Sequence, residues 1–340
     1  MSLGRRFPVL FRAFLAVVLA AGCAPVIRGA GPAVTTPLLE DGLFVAADGR
    51  RLPYRTWMPA DVAPKAIVVA LHGFNDYSKF FDKPGTWLAG RGIASYAFDQ
   101  RGFGMTPDRG YWPGSEAMAA DLASFARLVA SRHPGRPLYL LGDSMGGAVT
   151  LVAMTGPQAR DLAPRVAGVV LVAPAVWGRA TMPWYQRWAL ALGVRIMPGV
   201  RLTPRGLNIK PSDNIEMLRG LGRDHLVIKE TRTDAIWGLV NLMDAGLAAA
   251  ARFDAKALIL YGGRDEVVPR RPVSLMVERL PVAARGRQRV ALYDGGYHML
   301  LRDLEAERVW RDILTWIGDA NGPLPSGAAE TLLPKKAGGT

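Results

Sequence analysis

Short apolar runs of high β-propensity recur along the chain, and several are apolar at both odd and even positions. Two clear cases are AIVVAL at 66–71 and VVLVA at 169–173. Alternate side chains of a strand point to opposite faces, so such strands need cover on both sides, as in a parallel sheet flanked by helices. The pattern predicts an α/β fold with a mostly parallel eight-stranded sheet. Strands are predicted at 40–46, 51–58, 66–71, 94–98, 138–142, 167–173, 257–262 and 289–293, and helices at 84–91, 115–132, 145–155, 271–279 and 303–317.

The segment 177–250 interrupts this alternation of strands and helices. Its composition favours helices and is rich in Trp, Met and Pro, and it lies between two predicted strands. We predict that it is a mainly helical cap inserted into a core formed by 39–176 and 251–318. The last residues, 319–340, mix Gly, Pro, Ala and Ser and predict a flexible tail.

The chain is strongly basic, with a formal charge of +13 from 42 Lys and Arg against 29 Asp and Glu. These basic residues are scattered, and no nucleic-acid-binding motif occurs, so a nucleic-acid partner is not expected. Two interpretations of the charge stay open: a compositional bias of the source, and attraction to anionic lipid. The oligomeric state is not predicted by any feature of the sequence.

The N-terminal residues have the composition of an export signal. Three arginines, Arg5, Arg6 and Arg12, precede an uncharged apolar stretch at 13–22. That length is typical of a signal peptide and too short for a membrane-spanning helix. Residues 1–22 are therefore predicted to be a signal peptide.

Cys23, the only cysteine, follows this stretch directly in the run LAAGCAP. The run resembles the lipobox of bacterial lipoproteins, in which the cysteine is lipidated after cleavage. We expect an exported lipoprotein anchored to a membrane on the cell-envelope side, with residues 23–38 as a tether. Two alternatives stay open: cleavage near Ala24, which gives a secreted or periplasmic protein, and an uncleaved anchor.

The run LYLLGDSMGGA at 138–148 contains the pattern G-x-S-x-G where an apolar strand passes into helix-forming residues. Glycine at 142 and 146 suits a sharp turn that crowds neighbouring backbone and lifts the Ser144 hydroxyl clear of the sheet. The N–H of Met145 lies at the helix start, where unpaired donors favour negative charge. In this strand-turn-helix setting the pattern predicts Ser144 as a nucleophile.

A serine nucleophile needs a base to take its proton. Of the four histidines, His298 follows the last predicted strand and a Gly-Gly pair that lets the chain turn back toward the sheet. It is the predicted base. His72 is expected to support the loop that it begins, His133 to be exposed at a helix end, and His225 to lie in the cap.

The base needs an acid that fixes its tautomer. Asp265 follows the strand at 257–262 and lies on a loop at the same edge of the sheet. It is the predicted acid, with Glu266 and Asp294 as the alternatives.

An acyl-transfer site also needs two N–H donors for the oxyanion. The run LHGFNDYS at 71–78 ends a buried strand with His-Gly, which allows the N–H of Phe74 to point inward beside that of Met145. The run FDQRGFG at 98–104 closes another strand. Its Asp99 and Arg101 are expected to form an ion-paired structural loop.

The motifs HGF, DQRGFG, GDSMGGA, GRDEVVP and GGYHML, in this order, resemble the monoacylglycerol lipase and lysophospholipase branch of the α/β-hydrolases. The resemblance covers roughly residues 40–318. It implies the α/β-hydrolase fold, a Ser144–His298–Asp265 triad, oxyanion donors at Phe74 and Met145, and no metal or organic cofactor. Asp143 occupies a place that relatives often give to His or Glu, and no effect is predicted for it.

The resemblance also implies hydrolysis of lipid-like monoesters, such as a monoacylglycerol or a lysophospholipid, through an acyl-enzyme. A small-ester carboxylesterase, a serine peptidase or amidase, and an acyltransferase are open alternatives on the same fold. A non-enzymatic lipoprotein is disfavoured by the complete triad. The acyl chain and head group are not predicted.

Four of the nine tryptophans fall in the predicted cap: Trp177, Trp184, Trp188 and Trp237. Binding pockets are mostly apolar, so these residues are expected to line a groove for one acyl chain leading to Ser144. The alternative interpretation is that they pack the cap onto the core.

Overall fold

A computed structural model describes residues 24–204 and 206–330. The predicted signal peptide, the lipidation site at Cys23 and the last ten residues of the predicted tail lie outside the described residues.

Nine of the described strands form one central sheet, and two short strands pair separately. The strands are β1 Leu38–Glu40, β2 Leu43–Val45, β3 Arg51–Trp57, β4 Ala66–Leu71, β5 Ile93–Phe98, β6 Leu138–Asp143, β7 Val166–Val172, β8 Arg201–Leu202, β9 Thr231–Arg232, β10 Ala257–Gly262 and β11 Gln288–Tyr293. The main sheet has the order β1-β2-β3-β5-β4-β6-β7-β10-β11. Its six strands from β5 to β11 are parallel, and β1 to β3 add an antiparallel edge. The predicted α/β class and mostly parallel sheet are confirmed.

The sheet has one strand more than predicted because a hairpin at 38–45 stands where one strand was predicted at 40–46. Strands β1 and β2 pair antiparallel, with Glu40 opposite Leu43. Gly42 between them has a φ of 67°, in the left-handed region that glycine enters without steric cost. The predicted strand at 40–46 therefore contains the end of β1, the turn and the whole of β2.

The described α-helices cover both faces of the sheet. They are α1 Asp82–Ala89, α2 Ser115–Arg132, α3 Met145–Thr155, α4 Ala159–Leu162, α5 Trp184–Ile196, α6 Ile215–Arg223, α7 Thr233–Ala249, α8 Arg270–Arg279 and α9 Ala306–Gly318. Side chains of β4 alternate between two buried clusters. Ile67 and Val69 pack with α2 and α3, while Val68 and Ala70 pack with α1 and α9. This is the two-sided burial that the apolar runs predicted.

The predicted cap segment, 177–250, holds α5, β8, α6, β9 and α7. Its last helix, α7, lies directly on α3. A Cβ added to Gly246 would stand 3.3 Å from the Cβ of Ala148, so glycine allows the two helices to approach closely. No helix within 24–204 or 206–330 is long and apolar enough to cross a bilayer.

Both predicted linkers contact the folded body where the structure describes them. Near the N-terminus, the N–H of Val26 donates to Asp234 Oδ2 at 3.1 Å and that of Arg28 to the Trp112 carbonyl at 2.9 Å. Near the C-terminus, Leu324 is buried and the Ala329 carbonyl accepts the N–H of Leu292 at 2.8 Å. Residues 24–31 and 320–330 thus differ from the loose tether and tail that their composition predicted.

Candidate active site

Ser144 occupies the sharp turn between β6 and α3. Its φ of 50° and ψ of −110° are strained for a residue with a side chain, and such strain is held in place by surrounding structure. Here the N–H of Ser144 donates to the Val172 carbonyl at 2.9 Å. Glycines allow the turn to close: a Cβ at Gly142 would meet the Gly146 carbonyl, and one at Gly146 would meet Leu71.

The structure brings the three predicted triad side chains together. Ser144 Oγ lies 2.9 Å from His298 Nε2, and His298 Nδ1 lies 2.8 Å from Asp265 Oδ2. The second carboxylate oxygen of Asp265 accepts the N–H groups of Val267 at 2.8 Å and Val268 at 2.9 Å. His298 and Asp265 are buried at the carboxyl edge of the parallel strands.

The two alternative acids lie elsewhere. Glu266 is exposed and accepts the N–H of Lys210 at 2.7 Å, while Asp294 is exposed on the turn before His298. Of the three carboxylates that the sequence offered, only Asp265 bonds to the histidine ring.

The hydrogen bonds define the protonation of the His298 ring. Because Asp265 is an acceptor, Nδ1 carries the proton, and Nε2 is left to accept the Ser144 hydroxyl proton. Burial lowers the pKa of His298, but the charge and hydrogen bond of Asp265 and the charge of Asp143 outweigh it. The net result is a pKa above the ordinary histidine value.

Asp143, directly before Ser144, is a buried carboxylate beside the triad. Burial raises its pKa to about 6, and the charges of Arg302 and His298 act in the opposite direction. Arg302 in turn forms a buried ion pair with Asp76 at 2.7 Å. Asp76 and Arg302 lie on unrelated loops and form no sequence pattern, so their place beside the site was not predicted.

The predicted oxyanion donors lie on the two backbone segments that flank Ser144. Met145 is the first residue of α3, whose first-turn N–H groups have no partner within the helix. Phe74 follows Gly73, where an added Cβ would stand 3.3 Å from Ser144 Cβ. This close approach places the loop after β4 against the nucleophile turn.

His72 supports that loop, as its position after β4 suggested. Its Nδ1 donates to the Gly73 carbonyl at 2.8 Å, and its Nε2 accepts the N–H of Gln100 at 3.0 Å. Burial lowers the pKa of His72, which keeps the ring neutral and able to accept. His133, which was expected to be exposed, is half-buried and pairs with the Tyr96 hydroxyl at 2.8 Å, while His225 is exposed in the cap segment as expected.

The loop after β5 has the structural role expected of it, but its Arg101 pairs with acids from outside the loop and not with Asp99. Arg101 is buried between Asp121 at 2.5 Å and Asp48 at 2.6 Å. The Asp99 carboxylate accepts the N–H groups of Ser78 at 3.0 Å and Met105 at 2.8 Å.

The four cap tryptophans lie in three different environments. Trp177 is half-buried against the core, and Trp184 and Trp188 on α5 are each 72% exposed. Trp237 lines a separate cavity of about 710 Å³ beside the N-terminal segment, with the Arg179 guanidinium 4.3 Å from its ring centre. The structure therefore does not bring these rings together in one groove.

The chain directly before the cap segment is hydrogen-bonded to the nucleophile turn. The N–H of Ala175 donates to the Ser144 carbonyl at 2.9 Å. Ala175 belongs to a small apolar cluster, which we call the cap cluster. Its members are Ala175, Val240 and Met243, with half-buried Trp177, Met182, Leu190 and Leu239 packed against them.

Residues 62–305 match the family described as serine aminopeptidase, S33. The chain belongs to this family. It is a hydrolase of the α/β-hydrolase fold, and its place in the monoacylglycerol lipase-like branch is supported by the curated relatives.

Two of those relatives are similar along most of their length. Monoacylglycerol lipase of Mycolicibacterium smegmatis is 24% identical over 287 residues, which cover 81% of this chain and 95% of the relative. Human monoglyceride lipase is 24% identical over 286 residues, covering 81% and 89%.

Solved structures show the same fold. Paleococcus ferrophilus monoacylglycerol lipase has a TM-score of 0.64 at 24% identity, covering 78% of this chain and 98% of that one. A soluble variant of Saccharomyces cerevisiae monoglyceride lipase, in complex with a substrate analog, has a TM-score of 0.66 at 20% identity, covering 86% and 97%.

Proposed function

We propose that the protein is a serine carboxylic-ester hydrolase that cleaves lipid-like monoesters, such as a monoacylglycerol or a lysophospholipid. The observation that carries the proposal is the continuous chain of hydrogen bonds from Ser144 Oγ through His298 to Asp265, at a strained turn. This arrangement suits an acyl-enzyme mechanism.

In the first half of the reaction, Ser144 Oγ attacks the ester carbonyl and its proton passes to His298 Nε2. Asp265 stabilises the resulting imidazolium through Nδ1. The carbonyl oxygen becomes an oxyanion, which accepts hydrogen bonds from the N–H groups of Phe74 and Met145. His298 then gives its proton to the leaving alcohol, and Ser144 carries the acyl group.

In the second half, water takes the place of the alcohol. His298 removes a proton from the water as it attacks the acyl-enzyme, and returns the proton to Ser144 Oγ as the carboxylic acid leaves. Capture of the acyl group by an alcohol instead of water would give the acyltransferase alternative.

The preference for a lipid-like acyl group is supported by two observations. The relatives named above are monoacylglycerol and monoglyceride lipases. In addition, the cap cluster begins one hydrogen bond away from Ser144, at Ala175. Apolar side chains near the nucleophile turn suit an acyl chain better than a charged or strongly hydrated group.

The test is hydrolysis of a panel containing monoacylglycerols, lysophospholipids, p-nitrophenyl esters and aminoacyl p-nitroanilides. We expect the monoesters to be cleaved, and Ser144→Ala to lower turnover by roughly a millionfold. Covalent labelling of Ser144 by a fluorophosphonate, absent in the Ala variant, shows that the nucleophile is competent. Faster cleavage of the anilides than of any ester would favour the peptidase activity for which the family is named.

We also propose that Cys23 is the lipidated first residue of an exported lipoprotein. The proposal is supported by the three N-terminal arginines, the short apolar stretch and the Ala-Gly-Cys junction. Mass spectrometry of the mature N-terminus tests it. A chain that begins at Ala24 without lipid contradicts lipidation and leaves a secreted or periplasmic enzyme.

A further inference from the structure

The loop after β5 lies along the loop after β4 and is hydrogen-bonded to both of its ends. At one end, Gln100 donates twice to His72: the backbone N–H binds the ring Nε2 at 3.0 Å, and the side-chain Nε2 binds the carbonyl at 2.9 Å. At the other end, the Asp99 carboxylate accepts the N–H of Ser78 at 3.0 Å. The segment between these two contacts carries Phe74, one of the two expected oxyanion donors.

His72 is hydrogen-bonded in turn to the next peptide group. Because Nε2 accepts the N–H of Gln100, the proton of the neutral ring lies on Nδ1, which donates to the Gly73 carbonyl at 2.8 Å. The N–H of Asp76 donates to the same carbonyl at 3.3 Å. Two consecutive carbonyls, those of His72 and Gly73, are therefore held by hydrogen bonds, the first directly by Gln100 and the second through the ring that Gln100 orients.

The position of the Gly73 carbonyl determines the direction of the Phe74 N–H. The peptide bond between these residues is planar and trans, so its C=O and N–H point in opposite directions. Among the residues that the structure describes, none accepts the N–H of Phe74. A Cβ added to Gly73 would stand 3.3 Å from Ser144 Cβ, so this peptide group lies next to the nucleophile. A fixed and unpaired N–H beside the nucleophile is what an oxyanion requires.

Phe103, from the same loop after β5, packs against the side chains that flank this peptide group. Its ring centre lies 5.5 Å from that of His72 and 5.7 Å from that of Phe74, edge-on in both cases. The Trp112 ring lies 6.4 Å from Phe74 on the way to the cap. These ring contacts restrict rotation of the segment, so the direction of the Phe74 N–H depends on the loop after β5.

One atom of Gln100 opposes the stability of the fold. The side chain is 1% exposed, and its Oε1 is buried without a hydrogen-bond partner among the described residues. An unpaired buried amide oxygen is destabilising, and an apolar side chain of the same length would avoid it. What the amide supplies in the described structure is its hydrogen bond to the His72 carbonyl.

We propose that Gln100, acting through His72, is a positioning residue that aims the N–H of Phe74 at the oxyanion of the reaction. This role rests on the proposed ester hydrolysis. Gln100 does not touch the reacting atoms. Its effect should therefore appear in the transition state, where the oxyanion forms, and not in the binding of the ester.

The first test compares two glutamines of similar environment. Gln288, at the start of β11, also has a buried and unpaired Oε1, and its Nε2 donates to the carbonyls of Phe253 at 2.8 Å and Ala255 at 3.1 Å. Gln100→Met and Gln288→Met therefore each remove an unpaired oxygen and a donor to backbone. With p-nitrophenyl butyrate, Gln100→Met should lower kcat by about 10- to 100-fold and change KM by less than about threefold. Gln288→Met should leave both constants unchanged.

The second measurement uses butylboronic acid, which mimics the tetrahedral intermediate. Boron accepts an electron pair from Ser144 Oγ, the hydroxyl proton passes to His298, and one boron-bound oxygen takes the place of the oxyanion. Inhibition by this compound should weaken in Gln100→Met by about the same factor by which kcat falls, because both depend on the same N–H donor. A loss of stability alone would not couple these two quantities.

Variants of His72 provide a second route if Gln100→Met does not fold. His72→Asn keeps an N–H donor near the position of Nδ1, and His72→Leu does not. The kcat of His72→Leu should be at least about tenfold below that of His72→Asn, because only the latter still holds the Gly73 carbonyl. Urea denaturation checks that each variant is folded.

The proposal is overturned if folded Gln100→Met keeps the kcat of the unmodified enzyme, or if its loss is confined to KM. It is also overturned if Gln288→Met loses as much kcat, or if His72→Asn and His72→Leu are equally active. Absence of ester hydrolysis in the unmodified chain contradicts the proposed function itself. Activity of the unmodified chain with full activity in Gln100→Met contradicts only the positioning role.

Discussion

The carboxylate of Asp265 holds the ring of His298 with one oxygen and the backbone of its own loop with the other. Oδ2 lies 2.8 Å from Nδ1 of the ring, while Oδ1 accepts the N–H groups of Val267 and Val268. The carboxylate is therefore fixed before any substrate binds. It in turn fixes which ring nitrogen faces Ser144.

Asp265→Asn should lower turnover by about ten-thousandfold, because an amide favours the wrong tautomer of His298. The measurement is kcat on a p-nitrophenyl ester. Glu266→Gln is the matched control, since this neighbouring acid contacts Lys210 and not the ring. Near-normal turnover in Asp265→Asn, with loss of turnover in Glu266→Gln or Asp294→Asn, would show that one of these other carboxylates is the acid.

The pH dependence of kcat/KM should reflect the carboxylates around His298. The base must be neutral to accept a proton, and the pKa of His298 is raised. Activity should therefore be lost, as pH falls, at a higher pH than for an ordinary histidine. Asp143 contributes to the raised pKa through its charge, and Arg302 acts in the opposite direction.

Asp143→Asn removes one negative charge beside His298, so the acidic limb of kcat/KM should move to lower pH. Asp143→Glu keeps the charge and should leave the limb closer to that of the unmodified enzyme. The measurement is a full pH profile with a soluble ester at constant ionic strength. A limb that stays in place in Asp143→Asn would show that this carboxylate does not influence the base.

The cap cluster should set the preferred acyl length. Each buried methylene contributes about 0.8 kcal/mol. The value of kcat/KM should therefore rise with acyl chain length until the chain has covered the cap cluster. Trp177→Ala, at the half-buried ring of the cap cluster, should change this profile. Trp188→Ala, at an exposed ring on α5, should leave it unchanged for soluble esters. A profile that is flat with chain length, with the best activity on acetate, contradicts acyl binding by the cap cluster and indicates a small-ester carboxylesterase.

The parts of the site that depend on local signals were predictable from the sequence. Ser144 lies at a strand-to-helix turn whose glycines are adjacent in sequence. His298 and Asp265 each follow a strand of the parallel sheet. Since parallel strands end at one edge, three residues far apart in sequence were expected to meet there, and in the structure they do.

The parts that depend on contacts between distant segments were not predictable. Whether an apolar ring is buried or exposed depends on what lies opposite, so Trp177 and Trp188 looked alike in the sequence. The ion pair of Asp76 with Arg302 joins two loops without a shared pattern. The N-terminal segment has the composition of a linker, yet the backbone N–H of Val26 finds an acceptor on Asp234.

The close packing at Gly146 should be essential to stability. A Cβ at this position would meet the backbone and side chain of Leu71, at the end of β4, which cannot move without disturbing the sheet. Gly146→Ala should lower the free energy of unfolding by about 1–3 kcal/mol or more, the usual cost of overpacking.

Gly220→Ala is the matched control, because this helical glycine in α6 is exposed and an added Cβ meets nothing within 4 Å. It should raise the free energy of unfolding by about 0.5–1 kcal/mol through helix propensity. Chemical denaturation of both variants is the measurement, and equal stability of Gly146→Ala and the unmodified chain would contradict the tight turn at Ser144.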